Sequence, residues 1–169
     1  MVKSKLYSTV TSVFQKEGWE YAEVSGNEVI RAGFEAHHTR VELHVQVFEP
    51  LNAIAVVAES SHSTDNPAQR ERLAELVMRV NQTLTIGNFE LDWDKGRLLF
   101  RAANLFSTAF GDPDIVRGLV HNTVGEMDRM APFESMILSS SGAGLASLNL
   151  AEQLQRSDLL PEIPEPESK

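Results

Sequence analysis

The chain has 169 residues, 42% of them hydrophobic and none of them cysteine, and its 15 basic residues against 24 acidic ones give a formal charge of −9. That length fits one domain able to bury about 70% of its unfolded surface without staples, and the missing cysteines exclude thiolate chemistry and a disulfide framework. Scattered basic residues on an acidic chain disfavour nucleic acid as a partner, and the longest apolar run, residues 53–58, is too short to span a membrane. The first residues lack an uninterrupted apolar leader, so the expected location is the cytoplasm.

Residues 3–17 carry Leu6, Tyr7, Val10, Val13 and Phe14 at helical spacing, and Gly18 follows as a stop. Residues 19–24 and 28–36 flank Ser25, Gly26 and Asn27, which predicts a hairpin. Residues 40–47 alternate strictly between apolar and polar, the pattern of a strand with one wet face. Residues 53–58 are apolar on both parities, as a central strand would be. Asn66 and Pro67 then supply a cap and a first-turn proline, Gln69 completes a capping box, and Leu73, Leu76, Val77 and Val80 form the inward stripe of a helix over 67–81.

The clearest signal is a hairpin over 84–101. Phe89, Leu91 and Trp93 point to one face and Asn88, Glu90, Asp92 and Asp94 to the other, with Gly96 at the turn position that requires φ > 0 and a return strand over 97–104. Asp112 and Pro113 repeat the cap-plus-proline device and open a helix to about Met130, with Pro132 predicting a break or kink. The order is α-ββββ-α-ββ-α: an α+β fold, with helices packed on a mainly antiparallel sheet. The compact domain is expected to span 1–138. Residues 139–169 read as a linker, a short helix over 145–154, and a disordered acidic tail rich in proline.

The last long helix carries an apolar sector about half a cylinder wide, where a surface helix needs roughly 100° of arc. Either the chain's own sheet and helices bury all of it, or part of it meets a second subunit or a client. On the second reading the contact residues are Val116, Leu119, Val120, Met127 and Met130. Gly118 and Gly125 lie on the opposite face, where another backbone could approach closely or the helix could bend.

No chemistry-bearing constellation accompanies these elements. His37, His38, His44 and His62 fall close together in sequence without the spacing or the partners of a metal site. Asp92, Asp94 and Gly96 lack the later ligands of a calcium loop, and residues 139–144 lack the lysine of a phosphate loop. No catalytic residue, cofactor or metal is therefore expected, although a serine, a histidine and an acid could still meet in three dimensions.

Val80 and Asn81, the run Gly87-Asn88-Phe89-Glu90-Leu91-Asp92, Gly96, and Phe100 with Arg101 resemble the YbjN-type bacterial family, as do Gly18 with Trp19 and the alternating strand after Arg40. The resemblance covers residues 4–138. It implies a fold similar to that of type III secretion chaperones, which are small, acidic and commonly dimeric. It implies no active site, since the family is described as sensory or regulatory proteins. The expected function is a non-enzymatic protein-interaction or chaperone-like regulatory module, a homodimer with an unknown protein client, presenting an apolar helix surface or a sheet edge. The alternative is a regulatory domain that senses a small molecule in a pocket between sheet and helices.

Overall fold

The computed structural model describes residues 3–156; the expected proline-rich tail lies outside them. Strands β1 (Ala22–Glu23), β2 (Val29–Glu35), β3 (Arg40–Phe48), β4 (Ala53–Glu59), β5 (Asn88–Asp92) and β6 (Arg97–Leu105) form one six-stranded sheet in the order β1-β2-β3-β4-β6-β5. Every pairing is antiparallel. Helices α1 (Lys5–Glu17), α2 (Pro67–Asn81) and α3 (Pro113–Ser139) complete the expected α-ββββ-α-ββ-α order, and two short helices, α4 (Gly142–Ser147) and α5 (Leu150–Gln153), follow it.

Side-chain alternation decides which sheet face is covered. Val41, Leu43, Val45 and Val47 of β3 and Leu98, Phe100 and Ala102 of β6 join Leu6, Val10, Phe14, Leu73 and Leu76 of the helices in one apolar core. In β4 both parities are buried: Ile54, Val56 and Ala58 enter that core, while Ala53, Ala55 and Val57 lie on the opposite face. Small side chains in a central strand are screened there by the longer cross-strand neighbours His44, Gln46, Phe48 and Arg101.

The helix ends follow local chemistry. Ser4 caps α1 by accepting the Tyr7 N–H at 3.1 Å, and its hydroxyl donates to Glu28 at 2.7 Å, which ties the helix start to the sheet. Gly18 closes α1 in the left-handed conformation, and the Trp19 N–H bonds the Phe14 carbonyl at 2.9 Å. Trp19 then leaves the sheet and meets Phe14, Phe34 and His121 edge to face, which is why the first strand is only Ala22–Glu23 rather than 19–24. Asn66 caps α2 as expected, accepting from the Ala68 N–H at 3.0 Å. Gln69 does not form the capping box. It accepts from the Thr64 hydroxyl and donates to the Leu138 and Ser140 carbonyls at 2.9 and 3.1 Å, joining α2 to the end of α3.

Three further expectations change. Trp93 is 52% exposed because β5 stops at Asp92 and Trp93 enters the turn. Helix α3 does not break at Pro132 but runs 27 residues to Ser139. An internal proline costs a helix about 3 kcal/mol, and burying Phe133 and Ile137 just beyond it offsets that at roughly 2 kcal/mol each. The core also does not stop at Leu138, since Leu145 and Leu150 are buried members of it and part of the expected linker is α4.

Asn81, at the end of α2, accepts the Phe89 N–H at 2.8 Å and donates to the Phe89 carbonyl at 3.0 Å, so one side chain engages both backbone groups of a residue in the outermost strand β5. Across the hairpin, Gly96 has φ +59, and a Cβ there would stand 1.9 Å from the Thr64 carbonyl oxygen. The Thr64 N–H bonds the Gly96 carbonyl at 3.0 Å, which fixes that close approach. Gly96→Ala is accordingly expected to lower stability by about 2 kcal/mol or more. A chemical denaturation midpoint indistinguishable from wild type would contradict this packing.

Candidate functional site

The helices cover one face of the sheet; the other is open. Its residues follow from the register. One cross-strand row holds Phe48, Ala53 and Leu105, the next Gln46, Ala55 and Ala103, and the next Arg31, His44, Val57, Arg101 and Asn88. The last carries Gly33, Glu42, Glu59, Leu99 and Glu90. The face is therefore apolar at one end and charged at the other.

At the apolar end Phe48 is 36% exposed and Leu105 72%, with Leu51 of the intervening turn at 63%. At the charged end three arginines are paired: Arg40 with Glu35 and with Glu42 at 2.6 Å, Arg97 with Glu59 at 3.4 Å, and Arg101 with Glu90 at 2.8 Å. Glu42 stands directly opposite Glu59, and each is neutralised by its own arginine. A shallow depression of about 310 Å³ lies over Arg31, Glu42, His44 and Glu59. Burial pushes the His44 imidazole below its ordinary pKa; Arg31 and Arg101 act in the same direction and Glu59 against it. His44 is thus held neutral at neutral pH, which lowers the penalty for covering this face.

The sequence-derived contact residues lie elsewhere. Val116, Leu119, Val120, Met127 and Met130 are all at most 6% exposed, within the core of their own chain. The stripe on α3 is wide because α3 packs against β3, β4 and β6 beneath it and also against α1 and α2. It offers almost no outer surface at those five positions, with Leu119 reaching the wall of an open groove. Among the described residues no atom lies within 4 Å of a Cβ added at Gly118 or Gly125, outside their own helix's backbone. Gly118 instead lines a groove of about 460 Å³ with Thr85, Ile86, Ala103, Asn104 and Ile115.

Two buried carboxylates on α3 were not foreseen. Asp128 accepts the His38 and Thr39 N–H groups at 2.5 and 3.1 Å and so pins the β2–β3 turn. Glu134 accepts the Ser60 hydroxyl at 2.7 Å through Oε2, which also lies 3.8 Å from His62 Nδ1, while its Oε1 is buried with no hydrogen-bond partner among the described residues. Ser60, His62 and Glu134 thus meet, but the serine proton points at the carboxylate and not at the imidazole. A nucleophile requires the reverse, with a base bonded to its hydroxyl. The trio joins β4 to α3. Among the described residues, no group of histidine and acidic side chains is placed to hold a metal ion, and no helix is long and apolar enough to cross a membrane.

The family model described as "putative bacterial sensory transduction regulator", YbjN, matches residues 7–133. The chain belongs to the YbjN family. The crystal structure of YbjN from E. coli, described as "a putative transcription regulator", matches with a TM-score of 0.52 and 13% identity, covering 87% of this chain and 92% of that one. At that identity the likeness is one of fold. No curated protein matches the chain. The residues that resemble the YbjN family have structural work here: Asn81 grips Phe89, Gly96 fits against Thr64, and Phe100 is fully buried beside Phe89.

Glu134 supplies a pH test. Burial raises its pKa above the ordinary carboxylate value, more than Ser60, His62 and Arg97 lower it. A folded-state pKa above the unfolded one means a stability contribution present in acid and lost as pH rises through the folded value. Glu134→Gln, which keeps an acceptor for Ser60, should therefore melt higher than wild type in mildly alkaline buffer, with the gap closing on acidification. Thermal melts across pH in which the gap is constant or reversed would refute a buried ionisable Glu134.

Proposed function

We propose that this YbjN-family chain is a regulatory protein-interaction module whose contact surface is the open face of the sheet, and that it acts as a homodimer through that face. The supporting observation is one-sided coverage. All three long helices share one core with a single face of the sheet, and the other face sets Phe48 and Leu105 on either side of Ala53, with exposed Leu51 in the adjoining turn. An antiparallel sheet can keep one face in water, but it then carries polar residues there; a contiguous exposed apolar cluster marks a contact site. The charged half fits a second copy, because a row holding Arg31 and Arg101 lies beside a row holding Glu42, Glu59 and Glu90, and a two-fold axis would set one row against the other. The regulatory assignment rests on the family description. On this reading the chain performs no catalysis, and a client would meet the same face or its rim.

Light scattering on the purified protein tests the reading. The wild type is expected at twice the chain mass and the Phe48→Glu, Leu105→Glu double variant at the chain mass. Its melting temperature should stay within a few degrees, because both side chains are exposed in the single chain. A wild type that stays at the chain mass at high concentration, or a variant that dimerises equally well, would refute it.

A further inference from the structure

The family match ends at Phe133, but the packed structure does not. Past the end of α3, residues 142–154 lie over the seam between α2 and α3, on the helical layer and away from the open sheet face. Leu145 and Leu150 are 3% and 1% exposed, and Leu154 borders a small gap that it shares with Val80 of α2 and Arg129, Met130 and Phe133 of α3. The polar attachments come from α2. Arg72 donates to the Leu148 carbonyl within the segment, and Gln69 holds the Leu138 and Ser140 carbonyls just ahead of it. The helices within this segment have six and four residues, too few to persist alone, so the seam imposes their form.

We propose that the α2–α3 seam is a docking groove for a short helical segment bearing leucines, that residues 142–154 are its resident intramolecular occupant, and that a leucine-bearing helix of another protein displaces them. The chemistry of the seated segment defines the ligand. The groove takes leucine side chains and, through Arg72, a backbone carbonyl that any peptide carries, so nothing in the contact demands this chain's own residues. Covalent attachment gives the resident segment a high effective concentration, and an outside helix therefore binds only by outcompeting it. The segment serves as an autoinhibitory strap over a second contact surface.

The test uses the full chain and a labelled synthetic peptide of residues 141–156. A Leu145→Ala, Leu150→Ala variant, which loosens the strap, should bind the peptide at least about tenfold more tightly than the wild type. A control peptide with aspartate at both positions should bind neither. A cooperatively folding variant that fails to bind, or equal binding by both proteins, would overturn the proposal. If the variant does not fold, amide exchange on the wild type decides. Amides of 142–154 exchanging well ahead of those in β4 and β6 support a strap that opens alone, and exchange only with global unfolding overturns it. Oligomeric mass is unchanged by any of these outcomes, so the sheet-face reading stands or falls separately.

Discussion

A helix of 27 residues laid across one face of an antiparallel sheet must hide an apolar sector about twice as wide as a surface helix carries, and α3 does so by touching strands below and helices beside it. Everything else is arranged about that burial. Asp128 reaches from α3 to the β2–β3 turn and Glu134 to the end of β4, so the same helix that fills the core also fixes where two connections run. Taking carboxylates out of water is unfavourable unless they are hydrogen-bonded. Asp128 meets that condition with two backbone donors, while Glu134 meets it at one oxygen only. The α3 layer is thus well determined near Asp128 and carries an electrostatic penalty near Glu134 that Ser60, His62 and Arg97 offset only in part.

Much of this fold was legible in the chain because its signals are local. The alternation in β3 and β5, the Asn66–Pro67 and Asp112–Pro113 starts, and the glycine at position 96 each act within a few residues, and the structure reproduces them. The misreadings came where distant contacts prevail. Pro132 signals a break, but Phe133 and Ile137 find the core and the helix continues. Trp19 reads as strand, yet aromatic neighbours from α1, β2 and α3 draw it away. Gln69 sits at a capping-box position and is instead recruited by carbonyls nearly seventy positions later.

The site was legible only in part. Phe48 and Leu105 belong to different strands, and only the register, through Ala53 between them, makes them neighbours. The helix stripe invited a partner because its width exceeds what one contact surface covers; in three dimensions several surfaces cover it. Ser60, His62 and Glu134 were likewise invisible as a group, since Glu134 is 74 positions from Ser60. The surface that remains is a sheet face whose charges are mostly paired at one end and whose apolar side chains stand clear at the other.

The grip of Asn81 on Phe89 has a consequence for the company this molecule keeps. An outermost strand normally presents a ladder of unused N–H and C=O groups on which a stray chain can nucleate, the first step toward fibrous deposits. Here the amide of Asn81 already supplies the donor and the acceptor that such a strand would bring to Phe89. Lateral zippering along that rim is thereby interrupted at Phe89.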